Sequence, residues 1–190
     1  KGVVHDFSNL LIKFEMKRPA MKTINFMMFD HWGGLNTLFY IISNNGVVIS
    51  SEDRSPNHIS ALIEKYKIEL LPASPTFFNL MIFSESYKDY DLSSLKIISY
   101  GTEPMPNVTL KKLHEIFPYV KLTQTYGLIE LGVMNSKSEK NNSLWVKLGG
   151  DGYKTRIVDG ILQIKAKSAM LGYLNAPSPF TKDGWFKTGD

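Results

Sequence analysis

The stretch VKLTQTYGLIE, Val120–Glu130, decides the fold. Val120–Thr123 is a short β-forming run, and QTYGLIE (Gln124–Glu130) then sets a glycine, an aromatic ring and an acid on one loop. Toward the N-terminus the same kind of run recurs at Ile24–Phe29, Val47–Ser50, Ile68–Leu71 and Leu95–Ser99. Helical patterns stand between these runs. Ser55-Pro56 supplies an N-cap and first-turn proline to a helix whose Ile59, Leu62, Ile63 and Tyr66 recur at i, i+3, i+4 and i+7. Pro106 opens another, with Leu110, Leu113, Ile116 and Phe117 on one face, and Pro118 stops it. Gly34–Ile42 and Thr76–Phe83 are read as helical too. This alternation predicts an α/β fold: a doubly wound, mainly parallel sheet with helices on both faces.

After residue 142 the texture changes to short strands and glycine turns, at Trp145–Leu148, Thr155–Val158, Ile161–Lys165 and Trp185–Lys187. Asp159-Gly160 between two apolar pairs is a hairpin signal, because a two-residue turn of that type needs positive φ. The expected organisation is an α/β subdomain over 1–142 and part of a small β-barrel-like annex over 143–190. No internal repeat is present, and Lys137–Ser143 is a polar loop.

The composition, 43% hydrophobic and 21% charged, is that of a globular chain and excludes a disordered one. The net charge of +4 is spread out except at Lys111-Lys112 and Lys165-Ala-Lys167, which argues against a nucleic-acid partner. Cysteine is absent, excluding disulfides and thiolate metal sites. No apolar run reaches the roughly 18 residues of a membrane span, and a cytoplasmic protein is expected. The histidines, at 5, 31, 58 and 114, lack metal-ligand spacing, and no Gly-x-Ser-x-Gly elbow supports a serine hydrolase.

In an open parallel sheet, ligands bind beyond the carboxyl ends of the strands. The loops there are FDHWGG (Phe29–Gly34), PASP (Pro72–Pro75), YGTEP (Tyr100–Pro104) and QTYGLIE. Together with KGVVH (Lys1–His5), GYLN (Gly172–Asn175) and DGWFKTGD (Asp183–Asp190), the ordered set resembles the core motifs of the AMP-forming adenylate synthetases. That family comprises acyl-CoA and aryl-CoA ligases, peptide-synthetase adenylation domains and luciferases. The resemblance covers essentially the whole chain, and it implies an excised middle portion of a longer enzyme, inactive by itself. On that reading the chain starts inside the phosphate loop and stops at the ribose-binding aspartate.

The family's reaction joins a carboxylate to the α-phosphate of ATP, with magnesium, and usually passes the acyl group on to coenzyme A or a phosphopantetheine arm of an acyl carrier protein. By resemblance, Lys1 is a phosphate-facing cation and Glu130 the acid that holds magnesium. Tyr126 is the ring that packs on adenine, with Gly127 beside it, and Gly101, Thr102, Glu103 and Pro104 form the opposite wall. Asp190 is the carboxylate for the ribose hydroxyls, at a chain end where fraying is expected. Asp30, His31 and Trp32 fall where the family lines its acyl tunnel, His31 equally readable as a turn histidine bonded to backbone.

Two positions depart from the pattern. Ile129 stands where the family carries a Thr or Ser whose hydroxyl touches phosphate, and Gly160-Ile161-Leu162 lacks the usual acid after its glycine. The expected function is an acyl-CoA or acyl-carrier-protein ligase. The alternatives are an amino-acid-activating domain, because Phe29-Asp30 resembles the pair that grips a substrate amine, and a noncatalytic nucleotide-binding module, for which Ile129 argues.

Overall fold

A computed structural model describes all 190 residues, Lys1–Asp190. In chain order the elements are β1 (Val3–Val4), α1 (Phe7–Leu11) running into a 3-10 turn (Ile12–Phe14), β2 (Lys22–Asn25), α2 (Trp32–Ile42), β3 (Val47–Ser50), α3 (Pro56–Tyr66), β4 (Leu70–Ala73), α4 (Pro75–Ser84), β5 (Ile97–Tyr100), α5 (Asn107–Ile116) and β6 (Lys121–Gln124). Then come β7 (Gly127–Leu128), β8 (Gly132–Val133), β9 (Ser136–Ser138), β10 (Val146–Leu148), β11 (Tyr153–Val158), β12 (Ile161–Ala166), β13 (Gly172–Tyr173) and β14 (Phe186–Lys187).

Strands β3-β2-β4-β5-β6 form one parallel sheet. The step from β2 to β3 runs one way along the sheet and every later step the other way. With right-handed crossovers, that reversal puts α2 on one face and α3, α4 and α5 on the other, as the chain's alternation predicts. Ile59, Ile63, Phe78, Met81, Leu110 and Leu113 of the three helices bury against Ile24, Leu71, Ile98 and Leu122 of the strands. Each such side chain contributes about 1.5–3 kcal/mol relative to exposure. On the opposite face α2 covers less, packing Ile41 against Met21 and Leu70. By the two-residue period of a strand, Ile97, Ser99, Lys121 and Thr123 also face that side, over which no further helix of the sheet lies. The uncovered floor is what makes room for a cavity.

β3 falls where the sequence sets it, β4, β5 and β6 are shifted by one or two residues, and β2 starts two residues and ends four residues early. β2 ends at Asn25 instead of Phe29 because the Asn25 amide turns the chain, donating to the Gly34 carbonyl at 3.0 Å and accepting from the Met27 N–H at 3.3 Å. α2 begins at Trp32, capped by His31, two residues before the expected Gly34. Pro106 occupies the N-cap of α5, and Ser55 sits at the N-cap of α3 without a side-chain capping bond. β4 includes Pro72, which the sequence places in the following loop. β4 pairs with β5 through Ala73 but with β2 only at Thr23 and Leu70, so Pro72 lies where one side of the strand is unpaired. α1 was not expected, although Asp6 announces it by accepting from Ser8 and Asn9 N–H groups.

The annex is built of small antiparallel sheets, β11-β12-β14 and β9-β10. Its core of Ile164, Met170 and Phe186 also takes in Leu131 and Met134 from before residue 142. The Asp159-Gly160 turn has φ of 53° and 77°, as a hairpin of that kind requires. β1 pairs with β13, so KGVVH and GYLN lie side by side. The Gly2 N–H donates to Asn175 Oδ1 at 3.0 Å, which ties the N-terminus down.

Candidate active site

Along the face that α2 leaves open, from Leu70, Ile97 and Lys121 at the starts of β4, β5 and β6 to the loops at their carboxyl ends, runs a cavity of 560 Å³. It sits next to the place where the strand order reverses, as binding crevices of open α/β sheets do. Three of the four loops singled out in the sequence open directly onto it: His31, Trp32 and Gly33 from the first, Gly101 and Thr102 from the third, and Thr125, Gly127, Leu128 and Ile129 from the fourth. Of the second loop it touches Pro72 and Ala73, residues of β4.

The fourth loop is in fact a tight hairpin, β7–β8, with Gly127 opposite Val133. A Cβ on Gly127 would lie 2.8 Å from the Val133 Cα, so only glycine fits. Ile129 and Glu130 occupy the turn, closed by the Leu131 N–H on the Leu128 carbonyl. The turn is fixed from outside as well. His5 Nε2 donates to the Ile129 carbonyl at 2.5 Å, the only role it can take toward an oxygen acceptor, and the Met170 N–H donates to the Glu130 carbonyl.

The half-buried Glu130 carboxylate accepts from the Tyr173 hydroxyl at 2.6 Å through Oε1. Desolvation, then that bond to a carboxylate, pushes the Tyr173 phenol up to about 12, so it stays a donor at any ordinary pH. The Lys1 ammonium stands 5.0 Å from the Tyr173 ring centroid, in cation–π range. Lys1, Tyr173 and Glu130 thus form a chain of contacts across β1, β13 and the β7–β8 turn. Tyr173 belongs to the GYLN stretch, and its part beside Glu130 is visible only in the fold.

Tyr126, half-buried, donates its hydroxyl to Asp190 Oδ2. Burial and then the Asp190 bond raise its pKa. Asp190 is also bonded through its backbone: its N–H donates to Thr188 Oγ1 at 3.1 Å, and its carbonyl accepts from the Leu162 N–H at 2.8 Å. The preceding turn is braced by Asp183, which Thr181 and Arg156 hold down to about 2, and by the Arg156 guanidinium 4.3 Å from the Trp185 ring centroid.

Gly101 follows β5 and faces Thr125. A Cβ there would run into Thr125 Oγ1 and lie 2.8 Å from the Thr125 carbonyl oxygen, so the two strand ends approach as closely as backbone allows. Thr102 takes a φ of 69° and lines the cavity. Glu103 turns elsewhere, accepting from the Thr76 N–H and hydroxyl at the start of α4, and neither it nor Pro104 lines the cavity.

His31 both caps α2, accepting the Gly33 N–H on Nδ1 at 3.1 Å, and lines the cavity. Trp32 is buried beside His5, with ring centroids 6.4 Å apart, and its indole N–H has no acceptor. Asp30 is exposed and does not line the cavity. No cluster of three or more His, Cys, Asp or Glu side chains could hold a metal ion. Magnesium needs no such cluster, since it binds through one or two carboxylates plus phosphates and water, and Glu130 retains Oε2 for it.

The sequence of residues 1–161 matches the family described as AMP-binding enzyme. The chain belongs to that family, and its five-stranded parallel sheet with flanking helices is the family's fold. It is 32% identical over 152 residues to 4-coumarate-CoA ligase 1 of Narcissus pseudonarcissus, covering 68% of this chain and 28% of that protein. It is 27% identical over 217 aligned positions to the long-chain-fatty-acid–CoA ligase of Bacillus subtilis, covering 100% of this chain and 39% of that one. Among solved structures, the amide bond synthetase McbA of Marinactinospora thermotolerans superposes with a TM-score of 0.82 at 20% identity, over 100% of this chain and 43% of that chain. The chain therefore spans less than half the length of each of these three proteins. No helix is long and apolar enough to cross a membrane.

Proposed function

We propose that this chain supplies the nucleotide and acid sites of an AMP-forming acid–thiol ligase. The observation that carries the reading is the hydrogen bond from Tyr126 to Asp190, which joins the ring proposed for adenine to the carboxylate proposed for ribose at the base of the hairpin whose turn carries Glu130. Gly127, Leu128 and Ile129 of that hairpin line the cavity, although Tyr126, Glu130 and Asp190 do not line it themselves. Each residue then has work suited to its chemistry. The Tyr126 ring offers a face for the base, and Gly101 and Gly127 let backbone close on it. Asp190 keeps Oδ1 free for a ribose hydroxyl. Glu130, aimed by Tyr173, would hold magnesium, which supplies positive charge against the phosphoryl oxygens as pyrophosphate leaves. Lys1 adds charge from the other side of the Tyr173 ring.

The substrate acid enters the cavity beside His31 and Trp32, its carboxylate directed at the nucleotide. Asp30, outside the cavity, has no amine to grip there, so acyl or aryl acids suit the site better than amino acids. Coenzyme A is the favoured thiol, because both curated relatives are named as CoA ligases. A carrier-protein arm remains chemically equivalent.

ATP–pyrophosphate exchange by the full-length protein, over a panel of aliphatic, aryl and amino acids, tests this. Exchange is expected with acids lacking an amine, dropping to background in Glu130→Ala. Exchange confined to amino acids and lost in Asp30→Ala would instead point to an amino-acid-activating domain. Inertness with every acid would favour a noncatalytic nucleotide-binding module.

A further inference from the structure

Lys13 lies in the 3-10 turn after α1 and lines the cavity. It is half-buried, and its ammonium donates to the Val133 carbonyl at 2.8 Å and to Asn36 Oδ1 at 2.8 Å. Both acceptors are neutral, and a third N–H is left over. Val133 stands opposite Gly127 at the base of the β7–β8 hairpin, so Lys13 meets the cavity wall at the end of the hairpin away from the Ile129–Glu130 turn. Two more fixed cations, Arg18 and Lys121, line this cavity, against one carboxylate, Asp151. None of the three cations has an acidic partner, although six other basic side chains in the chain do.

A partly buried ammonium without a counter-charge is costly, and a neutral side chain could tie the turn to the hairpin more cheaply. We propose that Lys13 makes the cavity selective for acids that bear a second anionic group, such as dicarboxylic acids, away from the carboxylate that reacts. The inference rests on the ligase reading and deepens it. The second anion would take the unused N–H of Lys13, with Arg18 and Lys121 adding attraction from the exposed side. Burial, and then the charge of Arg18, lower the Lys13 amine to about 8, as expected of a cation whose counter-charge arrives with a ligand. Apolar neighbours such as Met16, Met27 and Tyr40 would pack on the carbon chain between the two ends.

The test is pyrophosphate exchange by the full-length protein with straight-chain diacids from malonate to suberate, each beside the monoacid of the same length. For the best diacid, kcat/KM is expected to exceed that of its monoacid by about tenfold or more. In Lys13→Met the diacid-to-monoacid ratio should fall by about tenfold to a hundredfold, the range for losing a hydrogen bond to a charged group, and Lys13→Arg should restore part of it. Equal treatment of diacids and monoacids by the unaltered protein would overturn the proposal without any variant. So would a ratio unchanged in Lys13→Met while both acids slow together or KM for ATP rises, which would make Lys13 a brace or a phosphate contact. Exchange with monoacids alone sinks only this inference, whereas no exchange with any acid sinks the ligase reading and this with it.

Discussion

Tyr126 donates its phenolic hydrogen to the carboxylate of Asp190, 64 residues further along the chain. One bond thereby joins the hairpin that follows the parallel sheet to the last turn of the annex. Asp190 is exposed, so the bond lies near the low end of the range for charged acceptors, about 1.5 kcal/mol. Tyr126→Phe keeps the ring and loses the bond, and KM for ATP is expected to rise about tenfold with kcat less affected. Tyr126→Ala should cost more, because stacking of a base on an aromatic ring is worth about 1–3 kcal/mol. Steady-state kinetics with varied ATP separate the two.

Glu130 is aimed by Tyr173, and partners of this kind typically govern metal affinity by about 10- to 100-fold. Tyr173→Phe is expected to raise the magnesium concentration needed for half-maximal exchange by at least about tenfold. Glu130→Ala should leave nothing that magnesium restores. An unchanged magnesium requirement in Tyr173→Phe would show that the phenol does not position the carboxylate.

Gly101→Ala forces a methyl group against the Thr125 side chain and backbone. Overpacking of this kind costs about 1–3 kcal/mol, and here the backbone carbonyl cannot rotate away. A lower denaturation midpoint with unchanged slope is the expected result.

Lys13 links pH to stability. Its ordinary value of 10.5 falls to about 8 in the folded chain. Between those values the unfolded chain holds a proton that the folded chain has released, so stability rises with pH, by at most about 1.4 kcal/mol per unit. Denaturant titrations of the unaltered protein and Lys13→Met from pH 7 to about 10.5 should show the rise in the first and its loss in the second. Below about pH 7 the amine is protonated in both states, and the difference between the two proteins should be flat.

How much of this was legible in the sequence depends on where the physics was local. The Asp159-Gly160 turn, the proline-opened helix at Pro56 and the strand–helix alternation were readable because turn chemistry and periodicity act within a few residues. Strand ends were not, because Asn25 bends the chain through a bond to Gly34, and Pro72 is tolerated in β4 only because its β2 side is unpaired. The resemblance supplied Tyr126, Glu130 and Asp190, and the fold brings the first and last together. It also named Glu103, which turns to Thr76, and Asp30, which lies outside the cavity. Lys13 and Tyr173 carried no signal of their own, since a lone lysine or tyrosine acquires meaning only from what folds against it.

Ile129 is exposed to the cavity in the turn beside Glu130, and it offers no hydrogen bond. If its backbone, held by His5, already sets the turn, a hydroxyl there adds a donor without moving anything. Ile129→Thr is therefore expected to raise the exchange rate, and a fall would show that the apolar side chain shapes the acid site.

In the proposed reaction a carboxylate oxygen of the acid attacks the α-phosphorus of ATP at this site. Incubating the full-length protein with ATP, magnesium, coenzyme A and an acid labelled with ¹⁸O in its carboxylate, then weighing the AMP released, tests it directly. One labelled oxygen transferred to AMP is the expected result, because the acyl–oxygen bond breaks when the thiol takes the acyl group. AMP without label, or ADP in its place, would contradict the account.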